Sequence, residues 1–161
     1  MINPSELKYD KKKKEMYLPD YLWCENFPLT IVSDRVVYIW GVNGITGYES
    51  SPVKLVDKRG KEIVGIRYYN IHVTGKAELD FEGMGLEFQN ICTKCGFADY
   101  AEKEGNNWGP GHDVIKENTY DGSDLFTFKH CEWVSMCTPK VRKIAHKYKL
   151  SNFKFSGFRS V

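Results

Sequence analysis

Ser33–Val53 reads SDRVVYIWGVNGITGYESSPV, and Thr138–Phe158, 105 residues further on, reads TPKVRKIAHKYKLSNFKFSGF. Laid over each other without a gap, both stretches open on a hydroxyl residue suited to a helix N-cap, Ser33 or Thr138. Arg35 lies over Lys140, Val36 over Val141 and Ile39 over Ile144. Beyond the helices, Ile45 meets Leu150, Thr46 meets Ser151, and Tyr48 meets Phe153. Val36, Ile39 and Trp40 form one apolar helical face, as do Val141, Ile144, Ala145 and Tyr148. Pro139 suits the first helical position, where its missing N–H costs nothing, and Asn43-Gly44 and Ser151-Asn152 end the two helices. Each stretch, with the apolar segment before it, predicts strand, short helix, turn and outgoing strand. The expected fold is therefore α+β: largely antiparallel sheet with two short helices, in related N-terminal and C-terminal strand-helix-strand units.

Between these units the sequence is rich in strand signals. Val53–Val56 and Glu62–Tyr69 flank Asp57-Lys58-Arg59-Gly60-Lys61, which reads as a hairpin loop. Tyr69, Ile71 and Val73 alternate with Asn70, His72 and Thr74, the period of a half-buried strand. Gly75-Lys76 reads as a turn, Leu86–Cys92 as a strand, and Gly105–Asp113, with three glycines and a proline, as a long loop. Asp121-Gly122 is a clear turn before the short strand of Leu125–Lys129, in which Phe126 and Phe128 share a face.

With 161 residues the chain can bury a real core, and 42% hydrophobic with 27% charged residues is ordinary for a globular protein. A formal net charge of +2 implies no long-range attraction to nucleic acid or anionic membrane. No apolar run reaches membrane-spanning length, and the start lacks a secretory apolar region, so a cytoplasmic protein with reduced thiols is expected. Residues 1–17, with the basic run Lys11–Lys14, read as a flexible or partner-covered leader, and 18–161 as a single α+β domain.

Chemistry-bearing motifs are few. Cys92-Thr93-Lys94-Cys95-Gly96 places two thiols where they can share an ion, but a structural zinc needs four ligands. His130, Cys131 and Cys137 are the available completions, and a metal-free C-x-x-C turn is the competing reading. No other cofactor is implied. His72, His112, His130 and His146 have no metalloprotease spacing, and the glycines of 105–111 lack the Lys-Ser/Thr of a phosphate loop. No catalytic set is recognisable, so a non-enzymatic protein is expected. Trp108, His112, Asp113, Tyr120, Asp121 and Asp124 combine aromatic anchors with acidic charge around the long loop, as a protein-binding surface would.

Leu18-Pro19-Asp20, the Leu29–Arg35 element, Cys92-x-x-Cys95-Gly96, Asp121-Gly122-Ser123-Asp124-Leu125-Phe126 and the closing Leu150-Ser151-Asn152-Phe153 together resemble the immunity proteins of bacterial polymorphic-toxin systems, the double-CXXCG group and its relatives. The likeness covers most of residues 18–158, but this chain has one C-x-x-C-G where that group has two. It implies an α+β immunity-like domain that binds and neutralises a cognate protein toxin. The alternative is a zinc-ribbon-like nucleic-acid-binding module resting on Cys92, Cys95 and Lys11–Lys14.

Overall fold

The computed structural model describes residues 8–10, 15–22, 30–57, 59–94, 98–102 and 115–155. They form an α+β fold with two helices and mostly antiparallel strands. Lys8–Asp10 (β1) and Glu15–Tyr17 (β2), within the expected leader, pair as a hairpin. A four-stranded antiparallel sheet has the order β3-β4-β6-β5, from Tyr21–Leu22 (β3), Thr30–Ser33 (β4), Tyr48–Val53 (β5) and Tyr68–Val73 (β6). Gly75–Ala77 (β7), Leu125–Phe128 (β10) and Cys131–Cys137 (β11) make a second sheet, ordered β11-β10-β7. Leu86–Ile91 (β8) and Ala98–Glu102 (β9) form a separate antiparallel ribbon.

The helices are α1, Asp34–Val42, and α2, Pro139–Lys147. Val36, Ile39 and Trp40 of α1 and Val141, Ile144 and Ala145 of α2 enter one core with Val32, Ile45, Ile71, Val73, Leu125 and Leu150. Both periodicities thus deliver their apolar faces, and fully buried Val36 and Val141 each contribute about 2 kcal/mol by leaving water. A second core lies under β7 and β10, where Phe126 and Phe128 meet edge to face and Ala77, Leu79, Met84 and Leu86 complete the packing. A third joins Leu18, Leu22, Leu55 and Tyr68, with the Tyr68 hydroxyl donating to the Pro19 carbonyl at 2.6 Å. Tyr68 and Ile71 therefore bury opposite faces of β6, so this strand is covered on both sides where the alternation alone suggested one.

Several local expectations change. Gly75-Lys76 is strand β7, not a turn, because β10 lies parallel to it and supplies the ladder, Phe126 opposite Gly75 and Phe128 opposite Ala77. Around Asp57 the chain makes only a narrow bridge, Val56 with Glu62, while β5 pairs with β6 across the longer excursion. Its Asp57 carboxylate accepts from the Arg59 and Lys61 amides at 2.8 and 2.9 Å, closing the loop from within. After α1 the chain enters β5, but Phe153–Phe155 after α2 is not a strand, and 156–158 lie outside the described residues. Phe153 packs against Trp40 and Tyr21 and stacks on Phe155, and Tyr48, its counterpart at the start of β5, also meets Trp40, at 5.2 Å.

Gly41 lies inside α1 with open space where a Cβ would stand. Gly41→Ala is expected to stabilise the protein by about 0.5–1 kcal/mol, through helix propensity alone, read as a higher urea midpoint.

Candidate functional site

Neither N-cap hydroxyl caps its helix. Ser33 Oγ donates instead to Asp20 Oδ1 at 2.8 Å, and Thr138 Oγ1 donates to Asp124 Oδ1 at 2.9 Å. Both aspartates are buried, and each carbonyl accepts the amide of that same hydroxyl residue at 2.9 Å. A cation from the first helical turn closes each node: Arg35 on Asp20 Oδ2 and Lys140 on Asp124 Oδ2, both at 2.8 Å. Burying a carboxylate costs several kcal/mol unless it is paired and hydrogen-bonded, and each node supplies both.

The remaining ligand of each node comes from the far end of the other helix. Ser151, after α2, donates its amide (2.8 Å) and hydroxyl (3.1 Å) to Asp20 Oδ2, while its Oγ accepts the Asp20 amide at 2.9 Å. Thr46, after α1, donates its amide to Asp124 Oδ2 at 3.2 Å, and its Oγ1 accepts the Asp124 amide at 3.1 Å. Beyond the aspartates, Arg35 Nη2 donates to the Tyr148 carbonyl at 2.6 Å and Lys140 Nζ to the Gly44 carbonyl at 2.7 Å. The first turn of each helix thus touches the residues that follow the other, so α1 and α2 run antiparallel.

Burial works to raise the Asp124 pKa, but hydrogen bonds from Lys140, Thr138 and the Thr46 amide, with the Lys140 charge, outweigh it and hold the carboxyl below its usual range. Asp121 is likewise lowered: burial opposes, and bonds from the Ser123 and Lys76 amides prevail. A folded-state pKa below the unfolded value contributes stability that is present above the ordinary carboxylate range and lost as pH falls through the folded value. The urea midpoint is therefore expected to hold steady down to about pH 5 and to fall below about pH 4. Asp124→Asn should start lower and lose less on acidification. An acid limb as steep in that variant as in the parent would remove Asp124 from the account.

The six residues singled out as a binding surface are distributed unevenly. Trp108, His112 and Asp113 lie outside the described residues. Asp121 is exposed and ties the turn together, its Oδ2 accepting from the Lys76 amide at 3.0 Å and Oδ1 from the Ser123 amide at 2.9 Å. Tyr120 packs its ring on Phe126 and donates its hydroxyl to the Ser123 carbonyl at 2.6 Å; burial pushes its pKa up. Asp124 faces inward, so its carboxylate organises the scaffold and does not present itself at the surface. Of the proposed metal pair, Cys92 is exposed at the end of the β8–β9 ribbon, and Cys95 lies outside the described residues. Among the described residues no three metal-ligating side chains gather. No helix there is long and apolar enough to cross a membrane.

The outer faces of the two helices differ in chemistry, and the cations of α2 lie opposite its apolar side, as their spacing in the sequence implies. α1 leaves Tyr38 71% and Val42 60% exposed, while α2 at the equivalent places carries Lys143 and Lys147, both exposed. Family models give no match to this chain, and neither curated proteins nor solved structures give one.

Proposed function

We propose that this protein is a non-enzymatic immunity protein that binds and neutralises a cognate bacterial toxin in the cytoplasm. One observation carries the reading. Four of the five segments in which the sequence resembles such proteins, all but Cys92–Gly96, are far apart in the chain yet meet in two shared nodes. Asp20 of Leu18-Pro19-Asp20 is bound by Ser33 and Arg35 of the Leu29–Arg35 element and by Ser151 of Leu150-Ser151-Asn152. Asn152 adds a bond from Nδ2 to the Tyr21 carbonyl at 2.8 Å. Asp124 of the Asp121–Phe126 segment holds the opposite node. The likeness therefore falls on residues that build the framework, which is what members of one fold would share while their binding surfaces diverge.

The same reading treats the two helical units as relatives. It is supported by N-caps at φ −68° and −69°, C-caps at φ −98° and −93°, and left-handed residues at Gly44 and Lys149, then Gly47 and Asn152. The toxin-facing surface on this proposal takes in Trp108, His112 and Asp113 from the sequence reading, and Tyr120 and Asp121, whose turn Asp124 fixes from beneath.

Co-expression with the toxin encoded beside it is the test. A co-purifying complex and restored growth are the expected results. No complex and no protection would discard the proposal.

A further inference from the structure

We propose that the outward face of α2, with the exposed Tyr38 and Val42 of the neighbouring α1, docks an acidic surface of a partner protein. The near-neutral total charge hides a polarised chain. No acidic residue follows Glu132, and residues 138–161 hold seven of the 23 basic ones, which leaves 16 basic against 21 acidic residues before them. Arg142, Lys143, Lys147, Lys149 and Lys154 are all exposed, and no carboxylate pairs with any of them among the described residues. Elsewhere Arg67 meets Asp34, Lys76 meets Glu132 and Lys129 meets Glu78. Cations thus cluster on α2 and the turn after it with no carboxylate partner among the described residues, Lys147 resting instead over the Tyr148 ring at 5.2 Å, a field that speeds encounter with an acidic surface.

The chemistry of the neighbouring face selects the class of partner. Tyr38 and Val42 give an exposed aromatic and aliphatic contact, the type of anchor found at protein interfaces. The excess acid in residues 1–137 repels a long polyanion. A membrane is disfavoured because the apolar side of α2, with Val141, Ile144 and Ala145, is already spent in the core. An acidic protein surface with an apolar centre fits both helices.

This inference rests on the proposed binding role in taking the partner to be a protein, and its test separates the two. The probes are a fluorescein-labelled peptide of Asp and Glu interrupted by Leu and Phe, and a DNA duplex of equal charge, read by anisotropy on the full chain. The parent is expected to prefer the peptide. The triple variant R142E/K143E/K147E should bind it at least about tenfold more weakly, and Tyr38→Ala about threefold. A control triple at other exposed cations, K54E/R59E/K61E, should stay within about twofold. Unchanged melting of each variant secures the comparison. Equal loss in the control, or tighter binding to the duplex than to the peptide, overturns the inference. Toxin capture undiminished by the α2 triple overturns it too, while leaving the immunity role in place. Peptide binding that depends on α2, with no toxin captured, sustains this surface and discards the immunity role.

Discussion

Gly47→Ala should unfold the protein or leave it barely folded, the largest single-residue effect expected here. Gly47 holds φ +84°, in the left-handed region, which costs an L-residue about 1–2 kcal/mol. A Cβ there would also drive into the Leu125 carbonyl oxygen and approach Ser123 Cβ at 2.6 Å. These contacts cannot relax cheaply. Leu125 is tied through its amide to the Thr46 carbonyl at 3.0 Å, and the Gly47 carbonyl accepts from the Thr74 amide at 2.9 Å. Overpacking against fixed backbone adds about 2–3 kcal/mol, so the total loss is about 4 kcal/mol of a stability that is typically only 5–15. Gly75→Ala meets the same Leu125 oxygen without the unfavourable φ and should cost less. Solubility and urea midpoints rank the two against the stabilising Gly41→Ala. A Gly47→Ala midpoint equal to that of the parent would mean that β5, β7 and β10 do not approach this closely.

Asp20→Ala is the second large effect, at about 3 kcal/mol. It removes the acceptor for Ser33 Oγ, Arg35 and both donors of Ser151 together, inside a site where water cannot fully replace it. Arg35 is 46% exposed, so solvent recovers part of its charge and the loss stays below that of a fully buried pair. For a chain of this length the melting temperature should drop by roughly 6–12 °C. Arg35→Ala should cost much less, because the hydroxyl and amide donors remain. The contrast is the check: equal losses for Asp20→Ala and Arg35→Ala would mean that the ion pair, not the hydrogen-bonded carboxylate, holds the node.

The helices were legible because their signal is local: three or four apolar residues at helical spacing, bounded by hydroxyls, with Asn43-Gly44 or Ser151-Asn152 after them. What those hydroxyls do was not legible. A serine before a helix satisfies the cap pattern, but its oxygen goes to Asp20, 13 residues back, and no local pattern announces that carboxylate. β7 was missed for a similar reason, since its partner β10 lies 51 residues away and a Gly-Lys pair reads as a turn until a neighbour supplies the ladder. Asp124 was read as part of an acidic loop because Asp121-Gly122 beside it is a true turn, with Gly122 at φ +82°. Its burial depends on Lys140, 16 positions later. The exposed faces of α1 and α2 were visible as letters, but only the matched pairing of the two helices makes their contrast in chemistry stand out.

Because each helix completes its anchor with a residue from beyond the other, the order of synthesis matters. Asp20 leaves the ribosome 131 residues ahead of Ser151, so this clasp stays open while everything between them is made. The nascent chain can assemble sheet and helix early, but this clasp locks only when the turn after α2 swings back to Asp20.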